Sequence, residues 1–299
     1  MNQIVSTKDP TIVAKEVQAA YKAMFPQGDL LFVPRVFGWA MECFTGHYAD
    51  YQAVDADYHD FEHTLQGTLC MVHLLRGRHL AAAQPPVTRR MFELGLTAIL
   101  LHDTGYLKKR DDTDGTGAKY TATHVNRSAN FAAELLGEKG FSREDIKAVQ
   151  NMIRCTGVDA DLSDIPFQNE LEKIVGFALG TADLLGQMAA DDYVEKLPVL
   201  YEEFAEAGRN SASKSKFVNM FSSAKDLLRK TPDFWEKYVK PKLNGDFDGQ
   251  HRYISDPYPD GPNFYMDKIE SNIQRLRELI SSEENTTRFL KKYHAAFAS

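Results

Sequence analysis

The sequence lacks long apolar runs and an excess of positive charge, and each absence excludes a class of protein. A membrane-spanning helix needs ~20 apolar residues, and the longest candidate run, residues 94–101, falls far short. The first residues show no basic segment followed by an apolar stretch, so we expect no secretory signal. The formal net charge is -7. A broad nucleic-acid-binding surface is therefore not expected, because such surfaces need clustered lysine and arginine.

Cysteine is scarce as well, and its placement indicates the redox environment. Cys43, Cys70 and Cys155 are odd in number, far apart and free of any CxxC spacing. Disulfide frameworks use even sets of cysteines in oxidising compartments. We therefore expect reduced thiols in a cytoplasmic protein.

Runs of alternating β-branched residues are also missing, whereas apolar residues recur at helical spacing along almost the whole chain. Asp9-Pro10 is typical of a helix start, a third helix begins near Asp60, and Thr88 can cap a fourth. A further apolar stretch covers about residues 37–51, and Thr231-Pro232 is interpreted as the start of a later helix.

These patterns predict an all-α fold with a single domain over residues 1–299. Its core spans about residues 30–210, and a C-terminal helical extension covers about residues 211–299. The polar stretch near residue 210 is a weak candidate for a boundary between the two parts.

Histidine and aspartate are concentrated in two short motifs. In Tyr58-His59-Asp60-Phe61-Glu62-His63 the two histidines are four positions apart. On a helix, both imidazoles would project from one face. Imidazole nitrogen is a good ligand for several divalent transition metals.

The second motif is His102-Asp103-Thr104-Gly105, which follows an apolar helix. At a helix end both side chains can reach one metal ion, and Gly105 frees the backbone to turn. A third element is Asp183, which lies among apolar helical residues, where burial is costly unless the carboxylate is paired or metal-bound.

This combination resembles the HD-domain superfamily of metal-dependent phosphohydrolases. The resemblance rests on three features, namely an early histidine, a His-Asp doublet after an apolar helix, and a distant aspartate in an Ala-Asp-Leu setting. The first motif is similar, more narrowly, to the Tyr-His-x-x-x-His signature of cyclic-nucleotide phosphodiesterases. The resemblance covers roughly residues 58–190 and implies an HD-type helical bundle with additional C-terminal helices.

The resemblance implies a role for each matching residue. His63, His102, Asp103 and Asp183 would bind a first metal ion, and Asp103 would bridge to a second. His59 would be the general acid, with metal-bound hydroxide as the attacking group and Asp103 as part of the catalytic centre.

Three other residues are candidates for a second metal or for phosphate binding, namely His124, Lys108 and Arg127. Lys108 also fits an ordinary solvated loop, and Arg127 also fits a partner for a nearby carboxylate. The chain departs from the family pattern at Tyr106, where cyclic-nucleotide phosphodiesterases commonly carry a further histidine. Arg154-Cys155 likewise stands where the cyclic-dinucleotide branch has two histidines.

The resemblance implies hydrolysis of a small phosphoester, such as a cyclic nucleotide or nucleotide phosphodiester, by metal-activated water. The expected cofactor is one or two divalent ions among Mn, Fe, Mg, Zn and Ni. The expected partner is a small phosphorylated substrate, with no nucleic-acid polymer and no membrane, and a homodimer is an option. The alternative is a non-catalytic metal- or nucleotide-binding sensor with the same fold. A di-iron oxygenase is a weaker alternative, because it needs more ligands than the motifs supply.

Overall fold

A computed structural model describes residues 5–157, 161–209 and 220–297. The predicted boundary near residue 210 lies outside the described residues. The described part is helical without any β-strand, apart from isolated bridges at Thr45–Ala53 and Tyr51–Lys109, which confirms the all-α prediction. The α-helices are α1 (Pro10–Met24), α2 (Phe32–Phe44), α3 (Phe61–Leu80), α4 (Arg89–Leu101), α5 (His124–Glu138), α6 (Arg143–Ile153), α7 (Glu170–Met188), α8 (Tyr193–Arg209), α9 (Ala224–Phe234), α10 (Lys240–Asn244), α11 (Phe264–Ile280) and α12 (Glu283–Phe297).

Short helical turns connect several of these helices. The 3₁₀ turns are Thr104–Tyr106, Gly117–Tyr120, Arg154–Thr156, Leu162–Asp164 and Gln250–Ile254, and a π-helical turn covers Trp235–Val239. No helix of the described residues is long and apolar enough to cross a membrane.

Side-chain caps explain where the helices that carry the site begin. The Asp60 carboxylate accepts a hydrogen bond from the His63 backbone N–H at 2.8 Å, and Thr88 caps α4 through the Met91 N–H. Asn169 caps α7 in the same way through the Glu172 N–H. Each cap satisfies an N–H that has no partner inside the helix.

The structure corrects three sequence-based helix assignments. His59 precedes the cap Asp60 and is not on α3, because that aspartate ends the extended segment and starts the helix. Thr231-Pro232 lies inside α9, which begins earlier because Ser223 caps it through the Asp226 N–H. The stretch assigned to residues 37–51 forms α2, which starts at Phe32 and ends at Phe44.

The centre of the fold is the pair α3 and α7, which pack against each other. Gly186 permits this close approach, because a Cβ there would lie 2.7 Å from the carbonyl carbon of Gln66. A larger residue would separate the two helices and the side chains that they carry. The position of α7 against α3 therefore sets the distance between His63 and Asp183.

Segments at both ends of the chain join this core. Val13 and Val17 of α1 are fully buried, and the Tyr21 hydroxyl donates to Glu93 of α4 at 2.6 Å. Near the C-terminal side, Phe247 packs against Gly180 of α7 and Ile269 of α11 is fully buried. The hydrophobic core thus extends on both sides of the range 30–210.

Candidate functional site

Three helices bring the predicted metal ligands to one point. His63 comes from the first turn of α3, His102 and Asp103 follow α4, and Asp183 lies in α7. The Nε2 atoms of His63 and His102 each lie 3.2 Å from Asp103 Oδ2. Each also lies 3.4 Å from Asp183 Oδ1. The structure therefore assembles all four side chains that the two motifs and the distant aspartate supply.

The donor atoms of this cluster fit a divalent metal ion. His102 Nε2 and Asp103 Oδ2 are buried and have no hydrogen-bond partner among the described residues, although they lie 3.2 Å apart. Neighbouring ligands around an ion with bonds of ~2.1 Å are separated by about 3.0–3.4 Å. The observed spacings match that range, and the ligand atoms of His63, His102 and Asp103 all lie within 4.8 Å of one another, as in a group that could hold a metal ion. Asp183 contacts both histidines from the other side. Two nitrogen and two oxygen donors do not select one metal.

Backbone carbonyls orient two of the imidazoles. His102 Nδ1 lies 2.7 Å from the Ile99 carbonyl oxygen, and His124 Nδ1 lies 2.6 Å from that of Thr121. In both residues the Nδ1–H donates, which leaves Nε2 on the side of the carboxylates, where it can take a proton or bind a metal ion. Metal-binding histidines are commonly held in this way.

The buried charges of this cluster shift the pKa values of all four side chains. Burial by itself would lower the pKa of His63, but Asp103 and Asp183 outweigh it and raise that pKa to about 9. The pKa of His102 is raised for the same reason. Burial opposes ionisation of both aspartates, yet contact with the two histidines lowers the pKa of each. Positive charge beside the two buried carboxylates therefore stabilises them, and protons on the histidines or a metal ion can supply that charge.

His124 lies beside the cluster on the other oxygen of the shared aspartate. Its Nε2 is 3.8 Å from Asp103 Oδ1, and burial lowers its pKa, which keeps the imidazole neutral. A close approach shapes this side of the site, because a Cβ on Gly105 would lie 2.0 Å from the His124 carbonyl oxygen. The arrangement suits the predicted role of His124 near a second metal or a phosphate.

His59 lies close to the cluster although it is not on α3. Its ring is 5.2 Å from the ring of His63, and its Nδ1 is 2.5 Å from Glu203 Oε2. The other carboxylate oxygen of Glu203 accepts the Tyr58 backbone N–H at 2.7 Å. Glu203 therefore fixes both the backbone before α3 and the His59 ring. Its only signal in the sequence is a carboxylate on the apolar side of α8, which sequence reasoning missed.

Tyr106 occupies the position where the family pattern commonly has a histidine. Its ring stacks on His59 at 4.4 Å and on His124 at 4.8 Å, and it is fully buried. Tyr106 thus packs between two imidazoles at the edge of the four-residue cluster.

The structure does not bring Lys108 or Arg127 to the cluster. Lys108 Nζ is 2.8 Å from an Asp55 carboxylate oxygen and donates to the Gly115 carbonyl at 2.6 Å. Arg127 donates to the carbonyl oxygens of Gly105 and Leu107. Both side chains hold the segment that follows the His-Asp doublet.

Two other cationic side chains line the same cavity as the cluster. A cavity of about 640 Å³ has His59, His63, Asp103, His124 and Asp183 in its wall, together with Lys147 and Arg154. Sequence reasoning did not select Lys147, which lies on the exposed side of α6. Nor did it assign a function to Arg154, which it noted only as a departure from the paired histidines of the cyclic-dinucleotide branch.

A family model matches part of the chain. Residues 110–248 are similar to the Npun_R2479-like family. That region is less than half of the chain and includes His124, Asp183 and Glu203, but not His63 or the His-Asp doublet. No curated protein matches the chain significantly.

Proposed function

We propose that the protein is a metal-dependent phosphohydrolase of the HD type that hydrolyses a small phosphoester. One observation carries the proposal. Three of the four candidate ligands, His63, Asp103 and Asp183, line the same cavity as His59, whose Nδ1 contacts Glu203, so the candidate metal site and a candidate proton donor face one space. The resemblance of the two motifs to the HD superfamily adds support.

Each residue has a defined part in this reaction. His63, His102, Asp103 and Asp183 would hold a divalent ion, which supplies Lewis acidity and an acidified water when bound. The Nδ1–H of His59 donates a hydrogen bond to Glu203, and a second proton is carried on Nε2. That proton passes to the leaving oxygen as its bond to phosphorus breaks.

Unpaired cations favour a phosphate as the group that enters the cavity. In the described part of the chain, Lys147 has no ion-pair partner. Among the described residues, the Arg154 guanidinium has one side-chain hydrogen bond, at 3.4 Å to the Asn151 side-chain oxygen. Guanidinium and ammonium groups bind phosphate oxygens well. Asp161 and Asp164 also line the opening, which limits its positive charge and favours one phosphate over a polyphosphate.

The proposed location is the cytoplasm. Cys43, Cys70 and Cys155 are all buried and unpaired. Free thiols persist in a reducing compartment.

Metal replacement tests the proposal directly. The protein is stripped with a chelator, reloaded separately with Mn, Fe, Ni, Zn or Mg, and assayed with bis-p-nitrophenyl phosphate and p-nitrophenyl phosphate. We expect turnover with at least one ion and its loss in Asp103→Asn. The enzyme proposal fails if no ion supports turnover above that of Asp103→Asn. One retained ion plus ligand-induced stabilisation without product would instead support the non-catalytic sensor.

A further inference from the structure

The cavity that contains the metal cluster has a second, apolar half. Helices α8 and α9 and the residue Phe221 before α9 supply this wall, which we call the aromatic wall and define as Leu197, Leu200, Phe204, Phe221 and Phe234. Within it the rings of Phe204 and Phe221 stack at 5.8 Å with an 11° interplanar angle. These five side chains are all apolar, and Tyr193 at the start of α8 lines the same cavity.

Two polar side chains beside the aromatic wall already have hydrogen-bond partners. Besides the ligand Asp183, α7 and α9 contribute two described polar residues to the cavity, Gln187 and Thr231. Gln187 accepts from the Tyr58 hydroxyl at 2.8 Å and donates to the Asp183 carbonyl at 3.0 Å. Thr231 donates to the Leu227 carbonyl at 2.8 Å. Neither is free to read the hydrogen-bonding edge of a nucleobase, which specific base recognition needs.

The cavity is larger than a phosphate group alone would fill. Its volume of about 640 Å³ lies within the range of ~300–1,000 Å³ that holds a drug-sized molecule. A phosphate group at the metal cluster and Arg154 would leave most of that space beside the aromatic wall. An apolar group is the one that gains from entering such a space.

We propose that the substrate is a phosphate ester of an apolar alcohol, either alkyl or aryl, rather than a nucleotide. This inference rests on the proposed function, since it assigns the phosphate to the metal cluster. The organic group lies against the aromatic wall, and apolar contact determines which esters bind.

Binding of alkylphosphonates, which cannot be hydrolysed at the P–C bond, tests the inference without relying on turnover. Calorimetry on the full chain compares methyl-, butyl- and octylphosphonate with adenosine monophosphate, with and without MnCl₂. We expect affinity to rise up to about fourfold for each buried methylene, in both conditions, and octylphosphonate to bind more tightly than the nucleotide. Equal affinity along the series, or tighter nucleotide binding, overturns the inference.

A matched pair of variants locates the apolar contact. Phe234 and Phe289 are both half-buried, and each packs on a tyrosine, at 4.9 Å from Tyr238 and 4.8 Å from Tyr293. Only Phe234 lines the cavity. Phe234→Ala should weaken octylphosphonate binding at least tenfold and leave methylphosphonate unchanged, while Phe289→Ala changes neither. If Phe234→Ala fails to fold by circular dichroism, Leu200→Ala replaces it with the same expectation. Equal effects of the wall and control variants contradict the assignment.

The outcomes separate this inference from the proposed function. Chain-length-dependent binding without hydrolysis of any phosphoester would refute the enzyme and keep the ligand class. Hydrolysis of bis-p-nitrophenyl phosphate with a flat phosphonate series would keep the enzyme and refute the ligand class.

Discussion

Replacing Glu203 by glutamine tests whether His59 acts as a positioned acid. In the native protein Glu203 Oε2 lies 2.5 Å from His59 Nδ1, and Oε1 accepts the Tyr58 N–H. Glutamine keeps the shape and one oxygen acceptor, so the Tyr58 contact can persist. Its amide presents N–H groups to Nδ1, however, which disfavours the doubly protonated imidazole that the reaction needs.

The expected loss follows from the kind of contact that is removed. A hydrogen bond to a charged group contributes about 1.5–3 kcal/mol. If the full contribution applies to the protonated form of His59, kcat falls about 10- to 150-fold. The loss should be larger for phenolate, the more basic leaving group, and small for p-nitrophenolate, which leaves without a proton.

Glu206→Gln is the matched control, because it changes a second carboxylate on the same helix. Glu206 binds the backbone N–H and hydroxyl of Thr116, at 2.6 and 2.7 Å, and does not contact His59. Rates for phenyl and p-nitrophenyl phosphodiesters are compared in both variants, with unfolding by urea as the measure of stability. A Glu203→Gln loss that is the same for both leaving groups would refute the acid role and leave Glu203 as a structural residue.

Three further predictions follow from the cluster and its surroundings. Because the pKa of His63 is raised to about 9 and a ligand imidazole must be neutral, metal binding should release protons at pH 7.5. Affinity should then fall up to about tenfold per pH unit for each displaced proton as pH drops below 9, and calorimetry in buffers of different ionisation enthalpy measures it. Proton-independent affinity would contradict this.

Burial and the nearby Arg76 lower the pKa of His73 to about 4, below its value of ~6.5 in the unfolded chain. Protonation of the unfolded state should therefore remove about 1–3 kcal/mol of stability as pH falls from 6.5 to 4. Urea unfolding at pH 7.5 and 5 should show a smaller loss in His73→Gln, and an equal loss would exclude His73 as the cause. Gly186→Ala should cost about 1–3 kcal/mol by crowding α3 and weaken metal binding, whereas Gly137→Ala on the exposed side of α5, where a Cβ meets nothing within 4 Å, should do neither.

The local parts of the structure were predictable from the sequence. Asp9, Asp60 and Thr88 marked true helix starts because a capping side chain acts on a backbone N–H only two or three residues away. The two histidine motifs and Asp183 were recognisable as a set, and the structure brings all four side chains together. Their order along the chain was informative because it resembles the HD-superfamily pattern, and each side chain lies on a helix or directly after one.

Contacts between distant segments were decided only by the tertiary structure. Glu203 and His59 are 144 positions apart in the sequence, and no local sequence pattern predicts that their side chains are in contact. Lys108 and Arg127 looked available in the sequence, but packing gave them backbone carbonyls as partners and left Lys147 and Arg154 at the cavity. Whether a charged side chain is free depends on which acceptors the fold places around it, and those acceptors come from other helices.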